Sequence, residues 1–119
     1  MLLKLIMEDF IKICKISDLE ENRGNKFQLD SETEIAVFKI KDKIYAVDNI
    51  CPHNHTPKIF EGNIQNNCVI CPIHFYEFNL INGSSESFQG GNLRIFETKI
   101  EDDELYVKPL ETKKLNFDF

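Results

Sequence analysis

Residues 51–74 read CPHNHTPKIFEGNIQNNCVICPIH. This stretch contains all three histidines of the 119-residue chain and three of its four cysteines. It opens with Cys51-Pro52-His53 and, after 17 further residues, closes with Cys71-Pro72-Ile73-His74. Each motif brings together one thiolate and one imidazole, and both groups are metal ligands in proteins. The stretch therefore predicts a metal centre that is built from two loops.

The order of the ligands distinguishes between kinds of metal centre. In a zinc finger of the C2H2 type, the two cysteines form one pair and the two histidines form another. Here each pair is mixed, and the spacings differ: C-x-H in the first loop and C-x2-H in the second. Mixed pairs suit a two-iron cluster in which two cysteines hold one iron and two histidines hold the other. We expect one [2Fe–2S] cluster, and the alternatives are a structural Cys2His2 zinc site or a chance arrangement.

The stretch and its flanks resemble the Rieske-type [2Fe–2S] proteins, and specifically the small Rieske-type ferredoxins. Four further segments carry the resemblance, namely KIYAVDN at 43–49, FEG at 60–62, FNLING at 78–83 and LYV at 105–107. The resemblance implies an all-β fold, in which an antiparallel β-sandwich or barrel base carries a small inserted cluster-binding subdomain. It also implies four ligands, with Cys51 and Cys71 on the inner iron and His53 and His74 on the outer iron.

Two positions depart from the pattern of this family. Glycine is usual two residues after the first ligand histidine and one residue after the second, whereas this chain has His55 and Phe75 there. Glycine permits a positive φ or a close backbone approach, so we expect slightly altered ligand loops. The C-x3-H spacing of His55 matches no family pattern, and we expect this side chain beside the ligands or in solvent.

The two remaining cysteines are predicted to be spare. Cys68 lies three residues before Cys71, so in an extended strand the two side chains point to opposite faces. Cys14 lies far away in the first predicted strand. We expect both to act as small buried hydrophobic side chains.

Charge divides the chain into a charged scaffold and a near-neutral middle. Residues 50–81 have three charged side chains, although the whole chain has 14 basic and 20 acidic ones. We therefore predict one domain over 1–119, whose base (1–49 and 82–119) carries a cluster-binding subdomain of about 50–81. Period-two or β-rich patterns predict strands in the base, at 9–16, 33–40, 43–47, 93–100 and 105–107. The sequence Ser-Asp-Leu-Glu from Ser17 fits the capping box of a short helical turn.

Composition argues against several classes of protein. The net charge is −6 and no block of Lys or Arg is present, so the chain is a poor candidate for binding nucleic acid or anionic membranes. Its longest apolar run is four residues, far short of the roughly 20 that span a membrane. The N-terminus lacks the apolar region and cleavage site of a secretory signal. We expect a cytoplasmic, reducing setting, where cysteines serve as ligands or thiols rather than disulfides.

A cluster of this kind transfers one electron at a time, and the remaining sequence predicts no further redox chemistry. Only one histidine is left, too few for the 2-His-1-carboxylate iron site of an oxygenase, and no glycine-rich nucleotide motif follows a strand. We therefore expect no enzyme activity from the chain by itself. We expect a soluble one-electron carrier that works between a reductase and an oxygenase or another redox enzyme. The alternatives are a small accessory subunit of an NAD(P)H-dependent nitrite reductase and a zinc-stabilised interaction module.

The resemblance also bears on the reduction potential. High-potential Rieske proteins have a serine and a tyrosine after the second ligand histidine, and the corresponding residues here are Tyr76 and Phe78. Phe78 has no hydroxyl group, and Tyr76 is too long to replace a serine. Because hydroxyl donors to the cluster sulfurs raise the potential, we expect a value at the low end of the Rieske range.

Overall fold

The computed structural model describes residues 9–52, 55–73, 75–85 and 91–109. They form ten strands, which are β1 (Ile11–Lys15), β2 (Gly24–Asp30), β3 (Thr33–Ile40), β4 (Lys43–Asp48), β5 (Asn63–Gln65), β6 (Cys68–Ile70), β7 (Glu77–Asn79), β8 (Ile95–Phe96), β9 (Thr98–Glu101) and β10 (Glu104–Val107). Two short 3-10 helices, Ile16–Asp18 and Ile59–Glu61, lie between strands. Within the described ranges, no helix is long and apolar enough to cross a membrane.

The strands form three sheets, and every strand pair is antiparallel. The first sheet has the order β1-β10-β9, the second β2-β3-β4-β8 and the third β5-β6-β7. The third sheet lies within the near-neutral segment that the sequence singles out. The predicted all-β, antiparallel fold is confirmed.

Two buried cores lie on opposite faces of the second sheet. The base core is composed of Leu19, Leu29, Ile35, Val37, Ala46, Phe96, Leu105 and Val107. The site core is composed of Ala36, Phe38, Val47, Cys51, Ile59, Val69, Cys71, Phe78, Leu80 and Leu93. Successive side chains of a strand point to opposite faces, so the apolar run 35–38 of β3 contributes alternately to the two cores. This double burial explains why β3 has consecutive apolar residues rather than alternating ones.

Two strand predictions differ from the structure. The predicted strand 93–100 is two strands, because β8 pairs with β4 in the second sheet whereas β9 pairs with β10 in the first. The chain changes sheets at Glu97, and a continuous β-rich pattern does not reveal such a crossing. Strand β2 has no counterpart among the predicted strands, since its sequence GNKFQLD is largely polar and only Leu29 is buried.

The turn near Ser17 also differs in detail. The 3-10 helix Ile16–Asp18 has Lys15 at its N-terminal cap, and no side chain forms a capping hydrogen bond there. The predicted turn is present, but the predicted capping box is wrong.

Close backbone contacts join the segment after the first motif to the two neighbouring sheets. A Cβ atom on Gly24 of β2 would overlap the carbonyl group of Phe60. A Cβ atom on Gly62 would likewise overlap the carbonyl oxygen of Ile70 in β6. Glycine at both positions therefore lets the helix Ile59–Glu61 pack directly between the second and third sheets.

Candidate metal centre

The two cysteines of the motifs are buried in the same core. Cys51 follows the end of β4 by three residues, and Cys71 follows β6 directly. Both side chains have 0% exposure and belong to the site core. The fold therefore brings together two thiols that are 20 positions apart in the sequence and keeps both away from water.

The two cysteines open loops with the same backbone hydrogen bonds. In the first loop, the Cys51 N–H donates to the Thr56 carbonyl (3.0 Å), and the His55 N–H donates to the Cys51 carbonyl (2.7 Å). In the second loop, the Cys71 N–H donates to Tyr76 (2.9 Å), and the Phe75 N–H donates to Cys71 (2.8 Å). Each loop is thus a closed unit of six residues, and His55 corresponds to Phe75.

The fifth residue of each loop has the left-handed backbone conformation. The φ angle is 61° at His55 and 62° at Phe75, a region that favours glycine and is costly for residues with a Cβ atom. These are the two positions at which glycine is expected from the resemblance. Both residues therefore have the backbone conformation that glycine would favour, and their side chains stand at a strained position. The Phe75 side chain is 73% exposed, and Ile73 beside it is 39% exposed.

The side chain of Asn49 holds the first loop in position through hydrogen bonds. Its side-chain amide donates to the Glu34 carboxylate (2.8 Å) and to the Pro57 carbonyl (3.1 Å). Its side-chain oxygen accepts from the Phe60 N–H (2.8 Å), and the residue is completely buried. The amide thereby links β3, the end of the loop and the helix Ile59–Glu61.

An ion pair holds the strand end that leads into the first loop. Arg94 Nε donates to Asp48 Oδ2 (2.8 Å), and the other carboxylate oxygen of Asp48 accepts from the Ile50 N–H (2.9 Å). The backbone N–H of Asp48 also donates to the Arg94 carbonyl (2.9 Å). Spacing and motif analysis does not identify Asn49, Asp48 or Arg94. The available signal is a pair of polar residues between the apolar strand β4 and Cys51.

The second loop is supported by strand pairing. It lies between β6 and β7, whose register pairs Ile70 with Glu77 directly outside the loop. Beyond β7, the Leu80 N–H donates to the Asn67 carbonyl (3.0 Å), and the Gly83 N–H donates to Asn79 (2.7 Å). The second loop is therefore the tip of a hairpin, unlike the first.

Of the three histidines, one lies among the residues that the structure describes. His53 and His74, the two predicted ligands, lie outside the described residues. His55 is described and exposed, and it occupies the loop-closing position that phenylalanine occupies in the other loop. The expectation that His55 lies in solvent agrees with this placement.

The other two cysteines are half-buried rather than buried. Cys14 packs against the base core. Burial and, to a lesser degree, the Asp18 carboxylate raise the pKa of Cys14 to about 11, so its thiol is protonated at neutral pH. Cys68 lies in β6 and is also half-buried. None of the four cysteines forms a disulfide.

The donor set of the two loops fits a [2Fe–2S] cluster. Such a cluster with mixed ligation needs two thiolates on one iron and two imidazoles on the other. The structure supplies two fully buried thiols at the start of two equivalent loops. The sequence supplies one further histidine in each loop, at position 53 and at position 74.

Comparison with known proteins gives the same result. The model of the Rieske-like [2Fe–2S] domain matches residues 9–108. Ferredoxin CarAc of Metapseudomonas resinovorans is 26% identical over 99 residues, covering 82% of this chain and 92% of that protein.

Two solved structures have the same fold. A chain in a complex of reduced oxygenase and oxidized ferredoxin in carbazole 1,9a-dioxygenase is 27% identical, with a TM-score of 0.77 over 87% of this chain and 99% of that one. The nitrite reductase [NAD(P)H] small subunit from Erwinia carotovora is 20% identical, with a TM-score of 0.74 over 89% and 85% of the two chains. The family match covers most of the sequence, including both cysteine loops and the three sheets, and the chain belongs to the family of Rieske-like [2Fe–2S] domains.

Proposed function

We propose that this chain is a one-electron carrier that holds one Rieske [2Fe–2S] cluster and works between a reductase and an oxygenase or another redox enzyme. The observation that carries the proposal is the pair of equivalent loops, each opened by a fully buried cysteine. Cys51 and Cys71 would hold one iron, and His53 and His74 would hold the other. In this proposal the base is formed by residues 1–49 and 82–119, and the cluster-binding subdomain by about 50–81.

The bound cluster supplies a one-electron couple, for which mixed ligation places potentials at roughly −150 to +300 mV. The residues of the chain exclude water from the thiolate side and hold the two loops in position. The surroundings of the second loop favour the low end of the range. Phe78 is fully buried and has no hydroxyl group, and Tyr76, a half-buried residue that packs against the site core, is too long to replace a serine.

The relatives support redox proteins as partners. Their names include the ferredoxin component of an alkene monooxygenase system from Xanthobacter autotrophicus and the ferredoxin CarAc. By itself the chain would carry out no catalysis, and its partners would supply the nicotinamide, flavin or oxygen chemistry. Four cysteines without a disulfide suit a reducing compartment, and we propose that the protein is cytoplasmic.

A second candidate role is that of a nitrite reductase accessory subunit. The fold of the Erwinia carotovora small subunit is shared, so the fold does not separate the two roles. Affinity purification with the tagged chain distinguishes them, because a carrier would exchange electrons with an oxygenase system, whereas a subunit would remain bound to a large reductase.

The cluster itself is tested by spectroscopy. The protein purified without oxygen should contain iron and acid-labile sulfide in equal amounts. After reduction it should give a low-temperature EPR signal with a low average g value. A protein that contains zinc in place of iron, and gives no EPR signal after iron and sulfide reconstitution, would support the interaction module and contradict the proposal.

A further inference from the structure

The two ligand loops share their closing hydrogen bonds and a positive φ at the fifth residue but differ in their support. The second loop, 71–76, lies between paired strands, and the ladder of β6 and β7 holds its two ends together. The first loop, 51–56, follows β4 and precedes the helix Ile59–Glu61. Beyond its own two hydrogen bonds, the described residues on its two sides form no ladder with each other, so the chain around it needs another means of closure.

Asn49 provides that closure. It precedes the loop by two residues, and its side chain donates to the carbonyl of Pro57, directly after the loop. The backbone of Asn49 takes part as well, because its carbonyl accepts from the Ile59 N–H (3.2 Å) and its N–H donates to the Glu34 carbonyl (3.1 Å). A single residue thus joins the chain before the loop to the chain after it and ties both to β3.

The asparagine side chain meets these requirements closely. Its amide group has two N–H donors, which Glu34 and Pro57 accept, and an oxygen that accepts from Phe60. Aspartate would place a carboxylate oxygen against the Glu34 carboxylate and the Pro57 carbonyl. Leucine would leave the partly buried Phe60 N–H without its acceptor, which destabilises the fold.

We propose that Asn49 is the positioning residue of the first ligand loop. It holds Cys51 in position, as the β6–β7 ladder holds Cys71 in position. By holding positions 49 and 57 together, it fixes the direction in which Cys51 approaches the cluster, and thereby the electronic environment of the thiolate-bound iron. This inference rests on the proposed function, because it assigns Asn49 a role toward the cluster.

The test compares three variants of the cluster-loaded protein. Asn49→Asp replaces the two donors by acceptors at nearly constant shape, and Asn49→Ser shortens the side chain. Val37→Ala is the matched control, because Val37 is equally buried but belongs to the base core on the other face of the second sheet. The measurements are EPR g values, reduction potential, melting temperature, and hydrogen–deuterium exchange of peptides that cover each loop.

Both Asn49 variants should shift the g values and the reduction potential. The rate of amide exchange around Cys51 and Phe60 should rise by about tenfold or more, because a local hydrogen-bonded unit is weakened. Exchange in the second loop should stay unchanged. Val37→Ala should lower the melting temperature while its g values and potential match wild type. The inference is overturned if Asn49→Ser keeps wild-type g values, potential and first-loop exchange, whatever its melting temperature.

Glu34→Ala tests the same point if the Asn49 variants do not accumulate. This variant removes the Glu34 carboxylate that accepts from the Asn49 amide, and it should shift the g values by a smaller amount. Wild-type g values together with wild-type exchange would contradict the inference. Failure of the proposed function is recognised separately, because wild-type protein would then give no Rieske signal at all. The exchange measurement still reports on loop closure in that case.

Discussion

Glycine should be the better replacement for Phe75, although alanine is the better replacement at an ordinary exposed position. Phe75 has a φ angle of 62° and a side chain that is 73% exposed. Both substitutions remove the same exposed phenyl ring, so the comparison between them isolates the backbone. The matched control is Lys58, which is exposed and has a φ of −121°.

The expected magnitude follows from two opposing contributions. The left-handed conformation costs a residue with a Cβ atom about 1–2 kcal/mol relative to glycine. Glycine loses about 0.5–1 kcal/mol relative to alanine because its unfolded chain is more flexible. Glycine should therefore stabilise the protein relative to alanine at Phe75 by about 0.5–1 kcal/mol. At Lys58 alanine should be favoured by about the same amount.

The assay is thermal unfolding of the four cluster-loaded variants at one heating rate, so that cluster loss affects all of them alike. For a chain of this size the entropy of unfolding is about 0.25 kcal/mol/K. The Gly-minus-Ala difference in melting temperature should thus be about 4–8 °C more positive at Phe75 than at Lys58. The reasoning is refuted if alanine is at least as stabilising as glycine at Phe75, with the same ranking at Lys58.

Three further outcomes follow from the site. His53→Ala and His74→Ala should each abolish the Rieske EPR signal, because the outer iron would lose a ligand, and His55→Ala should retain it; the reverse pattern would contradict the ligand assignment. Electron transfer with a partner should change little with ionic strength, since the loop region is nearly uncharged, and should slow in Phe75→Ser. A steep salt dependence with an unaffected Phe75→Ser would contradict an apolar contact. Cys14 should react with iodoacetamide at pH 8 about a hundredfold more slowly than in unfolded protein, because its pKa of about 11 suppresses the thiolate, and labelling should accelerate as the pH rises toward that value. Equal labelling rates in folded and unfolded protein would contradict the raised pKa of Cys14.

The strands that could be predicted are those in which a run of β-rich, apolar residues indicates burial. Strands β3 and β4 are found where consecutive β-rich residues predict them, because both faces of the second sheet are covered. Strand β2 could not be predicted, because its side chains are mostly half-exposed. Its extended conformation depends on its pairing with β3. The sheet change at Glu97 likewise depends on long-range pairing that local composition does not record.

The site shows the same limit at the level of single residues. The spacing of the cysteines and histidines predicts a metal centre, because metal ligands occur at characteristic spacings, and the structure places Cys51 and Cys71 in one buried core. Asn49 could not be predicted as an anchor, because its partners Glu34 and Pro57 are 15 and 8 residues away and carry no common motif. The positive φ angles at His55 and Phe75 could not be predicted from the residues present, because only a few per cent of residues other than glycine adopt that conformation.

The two cysteine loops have the same closing hydrogen bonds although their cysteine–histidine spacings differ. Counted from each cysteine, His53 is the third residue of its loop and His74 is the fourth. The residue of the second loop that corresponds to His53 in this count is Ile73, which is 39% exposed. A mixed C-x-H and C-x2-H pattern is therefore compatible with two loops that are closed by the same pair of backbone hydrogen bonds.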